Sequence, residues 1–152
     1  MASGEGSFEQ FVTDVEPDLR RALVATYGAD RGREAVAEAL AYGWEHWSRV
    51  QQMDNPVGYL YRVGQTRTRR RRTPVLFPEP PRDAQPWVEP GLPSALASLT
   101  ESQRLAVVLV DACEWTLREV AELSGIAVTT VQNHLERGRA KLQAALGADD
   151  DA

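Results

Sequence analysis

From Phe8 onward, apolar side chains recur every three or four positions: Phe8, Phe11, Val12, Val15, Leu19 and Leu23, with Thr26 in register. That step gathers them on one face of a helix, with a kink or restart expected at Pro17, which lacks the N–H of a helical turn. TYGADRG ends the stripe, and Val36, Leu40, Trp44 and Trp47 repeat the step over about residues 32–50. After MDNP, Asn55 and Pro56 start a third helix whose stripe is Val57, Leu60, Val63 and Arg67. No stretch alternates with period two, so no sheet is expected.

Residues 73–93, TPVLFPEPPRDAQPWVEPGLP, hold seven of the nine prolines. Proline removes backbone donors and drives the preceding residue from helical geometry, so this stretch reads as an extended linker. Beyond it, a short helix is expected at 94–98, and TESQ fits a capping box in which Thr100 and Gln103 satisfy each other's backbone amides. Leu105, Val108, Leu109 and Ala112 then share one face. TLRE is a second capping box, followed by Val120, Ala121 and Leu123, and Gly125 supplies the left-handed turn of a tight corner. The last helix carries Val128, Val131, Leu135, Gly138, Leu142 and Ala145 on an inward stripe. The expectation is an all-α chain of two small helical domains, 1–72 and 94–146, joined by the linker and ending in an acidic tail, 147–152.

In a chain of 152 residues, an apolar share of 43% is enough for a packed core. No apolar run approaches the ~20 residues of a membrane span, and MASGEGSFEQ lacks a basic-then-apolar signal pattern, so a cytoplasmic protein without a membrane partner is expected. The single cysteine, Cys113, excludes an internal disulfide and reads as a small buried hydrophobe on a helix. A net charge of -5 weighs against nonspecific nucleic-acid binding, yet five of the eleven arginines in 1–72 cluster in RTRRRR. The two histidines, His46 and His134, fall in different lobes; there is no glycine-rich phosphate loop and no carboxylate or cysteine cluster with ligand spacing. Catalysis, a metal, a cofactor and a small-molecule substrate are therefore not expected.

Two helices joined by a short glycine turn, the second amphipathic, form a helix-turn-helix arrangement. Burying Val128, Val131 and Leu135 sends Thr129, Thr130, Gln132, Asn133, Glu136 and Arg137 outward. Asn and Gln can pair bidentately with adenine, and Arg with guanine or phosphate, although a helical hairpin with a merely polar face fits the same spacing.

The segment LASLTESQRLAVVLVDACEWTLREVAELSGIAVTTVQNHLERGRAKLQAAL resembles region 4 of the bacterial RNA polymerase sigma factors, particularly the extracytoplasmic-function (ECF) class of the sigma-70 family. The resemblance is carried by Leu99, Gln103 with Arg104, residues 119–121, Gly125 with Ile126, Thr130 with Val131, and Arg137 with Arg139. Upstream, FEQFV and LRRAL, GREAVAEALAYGWEHW, and NPVGYLYRVGQTRTRRRR are similar in order to the three helices of a divergent region 2. ECF proteins consist of two such lobes and a linker.

The resemblance implies an ECF-type sigma factor whose partners are core RNA polymerase and promoter DNA, with an anti-sigma factor as a further partner. The C-terminal lobe would read a -35 element with Thr129, Thr130, Gln132, Asn133, His134 and Arg137, and hold phosphates with Arg139 and Lys141. The third helix would engage a -10 element, Tyr59 and Tyr61 stacking on an unpaired base, with Thr66 where the family has Asn, and Arg62, Arg67, Arg69, Arg70, Arg71 and Arg72 on the backbone. Core polymerase would bind the second helix at Glu34, Ala37 and Glu38, Ala37 standing where the family usually has Gln. Ala127 stands where a Ser usually caps the recognition helix. Tyr59, Trp44 and Trp47 have core packing as their other role, which is the expectation for the two tryptophans. The alternative for the whole chain is a sigma-like DNA- or protein-binding regulator that does not support initiation.

Overall fold

A computed structural model describes residues 3–70 and 91–150. The linker up to residue 90, with Arg71 and Arg72, lies outside the described residues. Helices α1 (Ser3–Tyr27), α2 (Ala29–Glu45), α3 (Trp47–Val50) and α4 (Pro56–Arg70) build one bundle; α5 (Leu92–Ser98), α6 (Glu101–Val107), α7 (Leu117–Ser124) and α8 (Val128–Asp150) build the other. Among the described residues there is no strand.

Leu19, Ala22, Leu23 and Thr26 are buried along α1, which runs through Pro17 as one helix. No restart occurs at Pro17: an interior proline costs ~3 kcal/mol, and the burial that follows it offsets that cost. The face of α2 that packs inward is Gly32, Ala35, Val36, Ala39 and Gly43, with small residues predominating. A Cβ on Gly32 would lie 2.6 Å from the Val24 Cα, so the two helices meet backbone to backbone. Trp44 falls one position off that face and is 48% exposed, which corrects the expectation that it packs in the core. The second helix also does not run unbroken to residue 50. It stops at His46, whose ring stacks on Tyr42 at 4.1 Å and whose Nδ1 lies 3.1 Å from the Tyr42 carbonyl oxygen, and α3 begins anew. This turn brings Trp47 against Phe8 and Phe11, at 5.2 and 5.0 Å between ring centroids.

Both capping boxes form. The Thr100 hydroxyl accepts from the Gln103 N–H at 3.2 Å, and that of Thr116 from the Glu119 N–H at 3.1 Å. Gly125 closes α7 in the left-handed region at φ 75. The long face expected beyond α6 takes a different form: residues Val108–Ala112 widen into a π-helix, and Glu114 follows at φ 61. Cys113 is only half-buried at that end. The last helix continues to Asp150, through the start of the segment expected as an acidic tail. In it Val131 and Leu135 are buried, but Val128, at the very start, is 41% exposed rather than inward.

The two bundles share one hydrophobic core that runs from Leu19 and Leu60 to Leu109 and Leu135. Helices α1 and α4 pack on α6 and α7. Arg104, 3% exposed, donates through Nε to the Thr26 carbonyl oxygen and through one Nη to those of Leu96, Ala97 and Leu99. Carbonyls at the ends of α1 and α5 are thereby bonded by one guanidinium, that of Leu96 in addition to the Leu99 N–H it already accepts. Burial lowers the Arg104 pKa, opposed by the negative charge of Glu101. Asn55 adds a bond from Nδ2 to the Glu122 carbonyl oxygen at 2.6 Å.

Candidate nucleic-acid interface

Inward packing of Val131, Leu135 and Gly138 decides what α8 presents. Thr129, Gln132, Asn133, Arg137, Arg139 and Lys141 are exposed, and Thr130 and His134 are half-buried. His134 lines a hollow of about 160 Å³ between the bundles, together with Tyr61, Gln65 and Arg69. Arg139 is engaged within its own bundle. Its Nε and Nη2 both donate to the Asp111 carboxylate, a bond that raises the arginine pKa. Six of the eight residues expected at a -35 element are therefore exposed on one helix, with His134 turned toward the other bundle.

On α4, Leu60, Tyr61, Gly64 and Thr68 face the core, which leaves Arg62, Thr66, Arg67, Arg69 and Arg70 exposed and Tyr59 half-buried. Tyr61 was expected to stack on an unpaired base. Instead it is 2% exposed and shares a 2.9 Å hydroxyl bond with Thr26, while burial pushes its pKa up to about 12, so it is a core residue. Arg69 donates through Nε and Nη2 to Glu101 Oε2, at 2.9 and 2.6 Å, and the same oxygen accepts from the Tyr27 hydroxyl. Burial, with Glu101 beside it, pushes the Tyr27 pKa above the ordinary phenol range. The guanidinium of Arg62 lies against Gly125, in the turn before α8. The arginine helix thus touches the second bundle along one edge and leaves the other edge open.

That open edge has partners that spacing did not reveal. The Tyr42 and Tyr59 hydroxyls lie 3.0 Å apart, and Arg49 Nη2 donates to both, at 2.5 and 3.1 Å. The bond from Tyr42 raises the Tyr59 pKa. Arg67 sits 5.8 Å from the Tyr42 ring centroid. Tyr42, Tyr59 and Arg67 line a hollow of about 320 Å³ that reaches Arg62, Thr66 and Arg70. On α2, Glu34 and Ala37 are exposed and Glu38 is half-buried; Ala41 and Trp44 continue their stripe outward. Among the described residues no group of acidic, histidine or cysteine side chains has the arrangement of a metal site, and no helix is long and apolar enough to cross a membrane.

One buried core spans two helical bundles, the second bearing a helix-turn-helix and the first an arginine-lined helix. Residues 91–142 match the family model for sigma-70, region 4. Similar proteins cover most of the chain. The ECF RNA polymerase sigma factor EcfG of Rhodopseudomonas palustris (strain TIE-1) is 29% identical over 152 residues, covering 88% of this chain and 83% of that protein. The sigma factor RpoE of Bartonella quintana, solved with the anti-sigma factor NepR, superposes with a TM-score of 0.63 at 23% identity, over 94% of this chain and 98% of that one. CnrH, solved with the cytosolic domain of CnrY, gives 0.61 at 22% identity, over 95% and 90%. The fold is that of the ECF sigma factors.

Proposed function

We propose that this chain binds core RNA polymerase and directs promoter recognition and transcription initiation as an ECF sigma factor. The observation that carries the reading is the pairing, on one molecule, of an exposed polar face at the start of α8 with an exposed arginine edge on α4. Thr129, Thr130, Gln132, Asn133 and Arg137 read base edges of a -35 element, and Lys141 and Arg139 hold phosphates, Arg139 after release from Asp111. Tyr59 and Thr66, with Arg62, Arg67, Arg69 and Arg70, engage the -10 element. Glu34, Ala37 and Glu38 contact polymerase on the exposed side of α2, and Trp44 extends that stripe. Residues 1–72 and 94–146 act as the two promoter-binding units, joined through 73–93. A membrane-independent role in the cytoplasm fits this assignment.

An anti-sigma factor is a further partner in this reading, supported by the two solved neighbours, each of which is a complex with such a factor or with a cytosolic domain. The second reading, a sigma-like regulator that does not initiate, is favoured by the bond of Arg69 to Glu101, which ties a DNA-facing side chain to the other bundle. Mixing the purified chain with bacterial core polymerase separates the two. Co-elution in size exclusion that weakens with Glu34→Ala, together with initiation from a specific promoter, is the expected result; association without initiation at any promoter selects the regulator.

A further inference from the structure

The hollow of about 160 Å³ at the seam of the two bundles has walls from α4, α6, α7 and α8. Part of its lining is apolar, with Leu105, Val120 and Val131 all buried. Polar groups make up the rest: Gln65 from α4, Ser102 from α6 and His134 from α8. Among the described residues, the Ser102 and His134 side chains make no hydrogen bond, and Gln65 commits only its Nε2, which donates to the Tyr61 hydroxyl at 3.2 Å. The one guanidinium in the lining, that of Arg69, already has a carboxylate partner, since its Nε and Nη2 both donate to Glu101.

A cavity of about 150 Å³ lined by aliphatic side chains takes up benzene, so the volume at this seam is that of one aromatic ring. Water finds no partner along the apolar part, and its release by a ring is favourable. At the polar part, the Gln65 carbonyl oxygen accepts, the Ser102 hydroxyl does both, and a neutral imidazole offers one nitrogen of each kind. A carboxamide carries a donor and an acceptor and satisfies this set. A carboxylate has no donor, and it would lose its water with no unpaired guanidinium to receive it. We propose that the seam between the bundles is a binding site for a neutral planar ring bearing an amide, the ring on Leu105, Val120 and Val131 and the amide against Gln65, Ser102 and His134. Because both bundles supply its walls, an occupant stabilises their contact by linkage. The site stands independently of the sigma-factor reading.

Ile126 also lines the hollow and is the only isoleucine of the chain, so isotope labelling of isoleucine methyls puts a single NMR signal at the site. Benzamide, titrated into the purified full chain at about pH 8, should move that signal saturably, with a Kd of about 1 mM for a ligand this small. Benzoate, toluene and acetamide lack, in turn, the neutral charge, the polar end and the ring, and each should bind at least about fivefold more weakly. Ser102→Trp places a large side chain at an exposed position of the lining and should abolish the saturable shift without moving Tm. His134→Leu removes a polar partner and should weaken benzamide about fivefold while leaving toluene unaffected. It carries the test alone if Ser102→Trp lowers Tm. A shift that never saturates, benzoate or toluene binding as tightly as benzamide, or wild-type affinity for benzamide in the folded variants overturns the proposal. Initiation with core polymerase is read separately, so either conclusion can fail alone.

Discussion

Arg104 Nε donates to the carbonyl oxygen of Thr26 at 2.8 Å, across 78 positions of sequence and from one helical bundle to the end of α1 in the other. With three further carbonyl acceptors at the end of α5, it is the most heavily used cation among the hydrogen bonds described. Replacing it with Leu strands buried carbonyls at ~1–3 kcal/mol each, so urea denaturation of Arg104→Leu should register a loss of about 3 kcal/mol or more. Arg104→Lys keeps the charge without the planar fork and should recover little of it.

Gly32 and Gly147 make a matched pair for the cost of a methyl group. A Cβ at Gly32 meets backbone atoms of Val24 and Leu23 at 2.6 to 2.9 Å, which cannot step aside without separating α1 from α2. Gly32→Ala should therefore destabilise by ~2 kcal/mol. At Gly147 nothing lies within 4 Å, so alanine there should be neutral or stabilise by up to about 0.5–1 kcal/mol through helix propensity. Thermal melts of the two variants report the contrast directly.

Alkaline pH tests the buried phenol. The Tyr61 pKa is pushed from 10.0 to about 12 by burial, opposed by the bond to Thr26. A folded-state value above the unfolded one means that this contribution is fully present below pH 10 and is lost as pH rises to about 12, because the unfolded chain releases its proton first. The loss is on the order of 2–3 kcal/mol. Tyr27 is shifted in the same direction. Denaturation midpoints should fall between pH 10 and about pH 12, and Tyr61→Phe should flatten that fall.

Under the proposed function, Glu101 competes with DNA phosphate for Arg69, which it holds in the free protein. Their pair is solvent-accessible, with side chains 59% and 29% exposed, and such pairs contribute ~0.2–1 kcal/mol. Glu101→Gln should thus change stability by less than about 1 kcal/mol while freeing Arg69 for the DNA backbone, seen as a steeper salt dependence of single-strand binding by ~0.7.

Thr116 opens the helix that leads into the helix-turn-helix corner. Thr116→Ala removes the cap of an eight-residue helix and should cost ~1 kcal/mol, detectable as faster amide exchange in α7 before any change in α8.

Much of this architecture was legible from the chain. Both capping boxes, the Gly125 turn, the inward side of α8 at Val131 and Leu135, and the third helix starting at Pro56 depend on contacts within a turn or two, where spacing and residue type decide the geometry. The helix-turn-helix face followed from them, because burying one stripe exposes the next. Misreadings arose where a neighbour beyond the local turn decides. Tyr59 and Tyr61 are two positions apart on one helix, and only the packing of α4 on α1 sends the second into the core and leaves the first at the surface. The step from Val36 through Leu40 to Trp44 points Trp44 inward, whereas the contact face of α2 is Gly32, Ala35, Val36, Ala39 and Gly43.

Helix type, capping and the polar face of α8 were determined by the sequence itself, since hydrogen bonds and side-chain spacing within a few residues have few alternative solutions. The tertiary structure alone decided that the bundles share one core, that Arg104 closes the ends of two helices, that Arg69 is held by Glu101, and that Arg49 braces Tyr42 and Tyr59. Each of these joins residues on different elements, and how closely those elements approach is set by packing at points such as Gly32 and Gly138, where only the folded chain reveals which atoms meet.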